Sequence, residues 1–161
     1  MSYKLRNATP GDMISVLDLI HELAEFENQP NAVEITVNDL IKDGYEEGTS
    51  FRVIVAEKNN DLVGMALFYP RYSTWKGRSL HLEDLIVKKE FRGKGIGNAL
   101  YTSVLKYADQ NGYKRVAWEV LDWNKVAIDF YISTGARVFD DWRVAHIDEK
   151  AIKNYLKKTN S

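Results

Sequence analysis

The sequence predicts a mixed α/β domain in which helices cover both faces of a central mixed sheet. Three observations support this fold class. Short apolar runs bounded by turn residues alternate along the chain with apolar stripes of helical spacing. Two of the predicted helices begin with a capping signature. A β-rich segment over 78–87 ends at a cationic, glycine-rich turn that opens directly into an amphipathic helix.

The amino-terminal half is predicted to contain two capped helices and a β-hairpin. After a short strand over 3–7, Thr9, Pro10 and Asp12 mark a helix start, and the apolar stripe that follows reaches Ala24. A second capping signature over 36–39 predicts a short helix that ends near 48. The hairpin strands are predicted over 51–57 and 62–69, joined by the polar turn 58–61.

The carboxy-terminal half is predicted to alternate strands and helices around the glycine-rich turn. Gly112 and Gly135 are placed to end two of the helices. The predicted elements are a loop over 70–77, the central strand 78–87, a helix from 96 to 112, a strand over 115–121, a helix over 124–134, a last strand over 143–147 and a terminal helix over 150–156.

The composition narrows the classes of protein and site. A chain of 161 residues is expected to form one domain over 1–161, with 45% hydrophobic and 28% charged residues as in globular proteins. A net charge of -1 argues against nucleic-acid and membrane partners, which require a strong basic excess. The absence of cysteine excludes disulfides and a cysteine nucleophile. Without an apolar leader or transmembrane run, a cytosolic location is expected, and His21 and His146 lack metal-ligand spacing, so no metal is expected.

The turn over 92–97 (Arg-Gly-Lys-Gly-Ile-Gly) is the main functional signal. A glycine-rich turn at a helix start collects free backbone N–H groups and the positive end of the helix dipole, which favours a phosphate-bearing ligand. The turn lacks the Gly-Lys-Ser/Thr ending of nucleoside triphosphatases, and it does not fit the dinucleotide pattern. Residues 88–94 carry four basic and one acidic side chain, which suits one small polyanion. The alternative is an ordinary glycine turn with solvated lysines.

This turn resembles the Arg-x-x-Gly-x-Gly/Ala pyrophosphate motif of the GNAT N-acetyltransferases. A second family element, Asn followed by Ala-x-x-Phe-Tyr and a helix-ending Gly, is matched by Asn124, Ala127, Phe130, Tyr131 and Gly135. The segments Glu-Leu-Ala-Glu-Phe-Glu at 22–27, Leu-Glu-Asp at 82–84 and Asp-Trp-Arg at 141–143 are similar to the spermidine/spermine N-acetyltransferases and their thialysine-acetylating branch. The resemblance implies a GNAT fold with a mostly antiparallel sheet of six or seven strands, and a homodimer.

The resemblance also implies acetyl-CoA as co-substrate, with the pantetheine arm pairing with the strand at 85–87. The alternative is that this strand only packs in the core. The two interpretations are compatible, because the backbone can pair with the pantetheine arm while the side chains pack in the core. The implied cofactor-binding residues are Leu85, Ile86, Val87, Arg92, Gly93, Lys94, Gly95, Ile96, Gly97, Asn98, Asn124, Ala127 and Tyr131.

Tyr131 is the predicted general acid. A phenol with a pKa of about 10 is matched to an alkyl thiol and can protonate the sulfur as the C–S bond breaks. A buried core tyrosine is the alternative. Because the chain has no cysteine, a route through a thioester enzyme is excluded, and direct transfer in a ternary complex is expected.

Glu83 or Asp84 is predicted to take the proton from the amine. Strict alternation places their side chains on opposite strand faces, so that only one faces the cleft unless a bulge intervenes. The resemblance favours Glu83; a carboxylate paired with a lysine is the alternative. His81 shares the Glu83 face, where it either assists or is structural. Glu27 extends the apolar stripe of the first helix, where it either enters the cleft or lies in solvent.

The amine predicted first is thialysine, lysine or a related ω-amino acid, with diamines or polyamines second. Ser73 and Thr74 stand where polyamine-acetylating members carry Asp-Pro, and hydroxyls can donate to a substrate carboxylate. A non-catalytic acyl-CoA-binding module and a protein-lysine acetyltransferase also stay open as functions. The implied substrate-binding residues are Phe26, Glu27, Ser73, Thr74, Trp75, Glu83, Asp84 and Trp142.

Overall fold

The computed structural model describes residues 2–159 of the chain. They fall into two compact units, Met1–Glu119 and Val120–Ser161, each of which is described by itself. Among the described residues, no helix is long and apolar enough to cross a bilayer. That 1–161 behaves as one domain stays a prediction from the sequence.

The described residues of the first unit contain one sheet, three α-helices and a π-helix at Lys42–Glu46 that continues the second of them. Its elements are β1 (Lys4–Asn7), α1 (Met13–Phe26), α2 (Val37–Ile41), β2 (Arg52–Lys58), β3 (Asp61–Ser73), β4 (Gly77–Val87), α3 (Ile96–Gln110) and β5 (Val116–Ala117). The strands follow the order β1-β2-β3-β4-β5, and every neighbouring pair is antiparallel except the parallel pair β4–β5. The second unit contains α4 (Lys125–Ser133) and α5 (Glu149–Thr159). The predicted mixed, mostly antiparallel sheet is confirmed.

The predicted number of strands is wrong. The described residues contain five strands instead of six or seven. The predicted strand over 143–147 is irregular backbone, and the strand predicted over 115–121 is reduced to the two residues of β5. An extended sequence becomes a strand only where a neighbouring strand supplies hydrogen bonds, and in the sheet β5 pairs with β4 at Leu80 and His81 alone.

The two predicted capping signatures are confirmed. The Asp12 carboxylate accepts a hydrogen bond from the Thr9 backbone N–H at 2.7 Å. The residues Pro10–Asp12 form a 3₁₀ turn that leads directly into α1. At α2, the Thr36 hydroxyl accepts from the Asp39 N–H at 3.2 Å, while the Asp39 carboxylate accepts from the Thr36 N–H at 2.8 Å. Both boxes satisfy backbone donors that a helix start leaves without intrahelical partners.

The first hairpin is confirmed, whereas the loop predicted over 70–77 is wrong. Asn59 and Asn60 have φ angles of 52° and 67° in the turn between β2 and β3, a conformation that asparagine tolerates. β3 then continues to Ser73 through Pro70, which pairs with Leu80 of β4. Proline fits there because β2 begins with Arg52 opposite Phe68, so that no second strand needs a donor at position 70.

Apolar side chains cover both faces of the sheet. On one face, Met65 and Leu67 of β3 pack in a core with Met13, Val16 and Leu19 of α1. On the other face, the Phe68 ring meets the Tyr107 ring of α3 edge to face, with centroids 5.2 Å apart. Strict alternation along β3 therefore accounts for the predicted helices on both faces.

Gly64 lies where α3 and β4 approach β3 most closely. A Cβ added at Gly64 would stand 2.8 Å from the Ile86 carbonyl oxygen and 3.2 Å from the Leu100 Cδ1. We expect Gly64→Ala to lower the free energy of unfolding by about 1–3 kcal/mol, measured by urea denaturation, because backbone must move. Gly11→Ala is the control, since its Cβ meets only the Thr9 Oγ1 at 3.7 Å. Equal stability of the two variants would contradict the close approach.

Candidate active site

The glycine-rich turn forms the predicted strand-to-helix junction. It connects β4 to α3 through a short 3₁₀ turn at Lys89–Phe91. Gly93 and Gly95 have φ angles of 72° and 81°, in the left-handed region that favours glycine. The first backbone bond of α3 runs from the Ala99 N–H to the Gly95 carbonyl, so the amides that precede Ala99 have no intrahelical acceptor. These amides can bind a phosphate group.

Arg92 is directed from this turn back onto α1. Its Nε donates to the Val87 carbonyl at 2.8 Å, and its guanidinium carbon lies 5.1 Å from the centre of the Phe26 ring. The Glu22 carboxylate of α1 accepts from the Lys89 N–H at 3.0 Å and lies 3.6 Å from Arg92 Nη2. Helix α1 and the glycine-rich turn are therefore tied together by one carboxylate.

β4 carries an unpaired edge beside this turn. On one side its residues Leu85, Ile86 and Val87 pair with Ala66, Met65 and Gly64 of β3. On the other side β4 pairs with β5 only at Leu80 and His81 within the unit Met1–Glu119. The backbone groups of this edge between Leu82 and Val87 are those to which an extended ligand arm can hydrogen-bond as an added strand.

A β-bulge in β4 places two carboxylate side chains in the same cavity. Phe68 pairs with Leu82 and Leu67 with Asp84, so that Glu83 is an extra residue on β4. Because the bulge interrupts the alternation, Glu83 and Asp84 both line the same cavity. The alternative that only one of them faces the cleft does not hold.

This cavity is lined by six carboxylate residues and a group of apolar ones. It has a volume of about 420 Å³ and lies between α1, α2, β3, β4 and the segment that joins α1 to α2. No lysine, arginine or histidine contributes to its lining. The acidic residues are Glu27, Glu34, Asp39, Asp43, Glu83 and Asp84. Such a cavity favours a ligand with positive charge and apolar methylene groups.

The electrostatics of the cavity raise the pKa values of two of its carboxyls. Loss of water is the main cause at Asp84, and the charges of Glu83 and Glu27 add to it, so that the pKa of Asp84 rises to about 7. The pKa of Glu27 is also raised, first by loss of water and then by the charge of Glu83. A cation in the cavity would stabilise the ionised forms of these groups.

Glu83 is held by a residue that the sequence reasoning missed. The Tyr69 hydroxyl of β3 donates to Glu83 Oε2 at 2.8 Å. Burial and this contact with Glu83 raise the pKa of Tyr69 to about 12, so the phenol keeps its proton at neutral pH. Antiparallel pairing of β3 with β4 brings the two side chains together, a register that the sequence does not reveal.

The acidic residues Glu34, Asp39 and Asp43 were also missed. A signal for Glu34 and Asp39 exists in the sequence, because residues 7–41 contain seven acidic residues and neither lysine nor arginine. A segment of this kind, which includes the apolar stripe of the first helix, indicates a surface for a cationic ligand.

Three other predicted amine-binding residues, Ser73, Thr74 and Trp75, lie at the β3–β4 turn of the first unit. Ser73 is six residues along β3 from Leu67, which is about 20 Å at the rise of a strand. Its hydroxyl accepts from the N–H groups of Trp75 and Lys76, at 3.2 and 3.1 Å, and so stabilises the β3–β4 turn. Thr74 and Trp75 belong to this turn, and Trp75 is exposed. Their contact with substrate stays a prediction.

The second unit contains the predicted Asn-to-Gly element in helical form. The Asn124 side chain accepts from the Ala127 N–H at 3.3 Å at the start of α4, and Gly135 ends the helix with a φ of 94°. Tyr131 of α4 is buried, with 8% of its surface exposed, whereas Trp142 is largely exposed. The catalytic and binding roles of these residues stay predictions.

Comparison with known proteins identifies the family. The model of the acetyltransferase (GNAT) family matches residues 17–135. A thialysine N-epsilon-acetyltransferase of Sus scrofa is 40% identical, over 84% of this chain and 85% of that protein. The corresponding protein of Caenorhabditis elegans is 38% identical, over 81% and 80%. The spermidine/spermine N(1)-acetyltransferase-like protein 1 of Homo sapiens is 34% identical, over 83% of this chain and 20% of that protein.

Solved structures show the same fold. An integron cassette protein, VCH_CASS6, from the mobile metagenome of V. cholerae superposes with a TM-score of 0.78 at 22% identity, covering 98% of this chain and 99% of that one. An aminoglycoside acetyltransferase from a soil metagenome, crystallised with trehalose, gives a TM-score of 0.72 at 22% identity over 91% and 94%. The predicted family resemblance is confirmed: the chain belongs to the GNAT acetyltransferase family and is an N-acetyltransferase.

Proposed function

We propose that this enzyme transfers an acetyl group from acetyl-CoA directly to the terminal amine of thialysine, lysine or a related ω-amino acid. The observation that carries the proposal is the bulged pair Glu83 and Asp84 on the strand that leads into the glycine-rich turn, in a cavity whose charged lining residues are all acidic. A cationic amine fits this cavity, and the names of the relatives in Sus scrofa and Caenorhabditis elegans support thialysine as the amine.

The residues that would hold acetyl-CoA have the chemistry that this co-substrate requires. Backbone amides at 93–98 would bind the pyrophosphate, and the free edge of β4 at 85–87 would pair with the pantetheine arm. Lys94 adds positive charge at the turn, where its Nζ donates to the Glu90 carbonyl at 2.7 Å. When bound, acetyl-CoA supplies the acetyl group as a thioester.

Two different residues carry out the two proton transfers of the proposed reaction, Glu83 as the base and Tyr131 as the acid. An ammonium substrate loses a proton to Glu83, directly or through water, and Glu27 and Asp84 bind further positive charge of the substrate. A backbone N–H of β4 polarises the carbonyl oxygen as the amine nitrogen bonds to its carbon. Tyr131 gives its phenolic proton to the sulfur as the C–S bond breaks.

A diamine or polyamine is the second candidate substrate, and one observation favours it. The cavity lining contains no cationic side chain that would pair with the carboxylate of an amino acid. The name of the relative in Homo sapiens points to the same class. Spermidine would place its further amines among the cavity carboxylates without leaving an anion unpaired.

A matched pair of substrates separates the two candidates. We would measure initial rates of thiol release from acetyl-CoA with lysine and with cadaverine, which is lysine without its carboxylate, and then with thialysine, ornithine, putrescine, spermidine and a lysine peptide. We expect thialysine and lysine to have kcat/KM values at least about tenfold above that of cadaverine, since the substrate carboxylate would accept one charge-assisted hydrogen bond from the hydroxyl of Ser73 or Thr74. A higher value for cadaverine and spermidine would establish the polyamine alternative.

Two further results would overturn the proposal as a whole. Acetylation of the peptide alone would indicate a protein-lysine acetyltransferase. Binding of acetyl-CoA by calorimetry without turnover of any amine would indicate a non-catalytic acyl-CoA-binding module. A homodimer, the lack of nucleic-acid and membrane partners and a cytosolic location stay predictions from the sequence.

A further inference from the structure

A cluster of side chains on β3 and β4 surrounds Glu83 outside the cavity. His81 Nε2 lies 3.4 Å from Glu83 Oε2, the same oxygen that accepts the Tyr69 hydroxyl at 2.8 Å. On the far side of the imidazole, Arg71 Nη1 lies 3.2 Å from His81 Nδ1. Arg71, His81 and Glu83 therefore form a chain of contacts that ends on one carboxylate oxygen.

The donors and acceptors in this chain fix the state of His81. A guanidinium only donates hydrogen bonds, so the contact with Arg71 requires His81 Nδ1 to accept and therefore to carry no proton. The neutral ring then carries its proton on Nε2, which faces the Glu83 carboxylate. In the opposite tautomer, an N–H would face the guanidinium and a lone pair would face the carboxylate. In the imidazolium form, two cations would be in contact.

The surroundings of the imidazole keep it in this position. His81 is buried, with 7% of its surface exposed, and its ring lies 5.3 Å from the ring of Tyr69. The Ser79 hydroxyl donates to the Arg71 carbonyl at 3.0 Å and ties the two strands together beside the arginine. The Tyr69 hydroxyl thus donates to Glu83 Oε2 at 2.8 Å, and the buried imidazole places its Nε2 3.4 Å from the same oxygen.

We propose that His81, fixed in its Nε2–H tautomer by Arg71, is a positioning residue that orients the Glu83 carboxylate for proton transfer from the amine substrate. The inference deepens the proposed function and rests on Glu83 as the base. Tyr69 and His81 hold one oxygen of Glu83, so that the other oxygen receives the proton. The histidine itself neither gains nor loses a proton in the reaction.

The tautomer is measured without substrates, and so independently of activity. In long-range ¹H–¹⁵N spectra of the labelled protein at neutral pH, we expect the His81 ring to show the Nε2–H form. Arg71 is exposed, so Arg71→Met should fold normally while it removes the donor and allows a mixture of the two tautomers. Arg71→Lys, which keeps a donor and a charge, should restore the single form. An imidazolium or an Nδ1–H form in the unaltered protein would overturn the proposal.

Kinetics of two His81 variants test the orienting role. The amide nitrogen of His81→Gln can replace the Nε2–H donor, whereas His81→Phe keeps a ring without any donor. We expect His81→Phe to lower kcat about tenfold or more, the value of a lost hydrogen bond to a charged group, with KM for acetyl-CoA unchanged. His81→Gln should recover most of that loss.

Two kinetic results would contradict the orienting role. If both variants retain full kcat, or both lose it equally, donation from Nε2 to Glu83 is not what His81 contributes. Failure of the proposed function is separate from these results, because it would appear as no turnover of any free amine by the unaltered enzyme. Failure of Glu83 as the base would appear as full activity in Glu83→Gln, whatever the tautomer of His81.

Discussion

Replacement of Tyr131 by phenylalanine is expected to lower kcat for acetyl transfer by about 100-fold or more, the usual contribution of a general acid. KM for acetyl-CoA should change by less than about threefold. The substitution removes one hydroxyl and keeps the ring, so the buried position in α4 stays filled. Without the phenolic proton, the thiolate must leave as an anion, which raises the barrier of the C–S cleavage.

The measurement is the initial rate of thiol release with the best amine of the substrate series. Tyr155→Phe is the matched control, because it makes the same chemical change on an exposed position of α5. The control should retain full activity. A Tyr131→Phe enzyme with unchanged kcat would show that another group protonates the sulfur, and the role of Tyr131 would be packing alone.

Asp84→Asn should raise the free energy of unfolding at pH 8 by about 2–4 kcal/mol, because it removes an ionised group from a poorly hydrated, acidic cavity. The pKa of Asp84 in the folded protein is raised from 3.8 to about 7. The folded state therefore holds its proton more tightly than the unfolded state. Stability conferred by that proton is complete below pH 4 and is lost as the pH rises to 7.

The side chain at position 84 does not titrate in Asp84→Asn. The free energy of unfolding of this variant should therefore exceed that of the natural protein by an amount that grows between pH 4 and pH 7 and stays constant above pH 7. Urea denaturation at pH 5 and pH 8 measures this difference. Asp140→Asn is the control, since it removes an exposed carboxylate and should alter stability by less than about 0.5 kcal/mol. An advantage of Asp84→Asn that is the same at both pH values would refute the buried ionisation.

The same variant should bind the amine less well. Asp84 contributes negative charge to the cavity above pH 7, and asparagine does not. KM for a cationic amine is therefore expected to fall as the pH rises through 7 in the natural enzyme and to lose that part of its dependence in Asp84→Asn. Stability would be gained where substrate affinity is lost, as is common for charged groups in active sites.

Features that depend on neighbouring residues were predictable from the sequence. The capping boxes at Thr9 and Thr36 act over three residues, and the hairpin at Asn59 needs only two consecutive turn residues. Gly135 ends α4 for a similarly local reason, the left-handed conformation of one residue. The glycine-rich turn is likewise a continuous motif, and together with the element from Asn124 to Gly135 it indicates the family.

Features that depend on strand pairing were decided only by the tertiary structure. Pro70 belongs to a strand because the first residue of β2, Arg52, pairs with Phe68, so that β3 has no partner from β2 at position 70. The segment 143–147 is irregular because no strand ladder includes it among the described residues. The bulge at Glu83 arises from the register between β3 and β4, which no spacing within β4 reveals.

The sequence by itself determined the fold class, the glycine-rich strand-to-helix turn and the family, because periodicity, capping and glycine motifs are carried by residues close together in the chain. The tertiary structure alone placed the six cavity carboxylates together and put Tyr69, His81 and Arg71 around Glu83. Tyr69 and Glu83 are fourteen positions apart in the chain, yet their side chains are in hydrogen-bonding contact. Such contacts depend on the pairing of distant segments, whose energy is shared among many residues rather than encoded in any one of them.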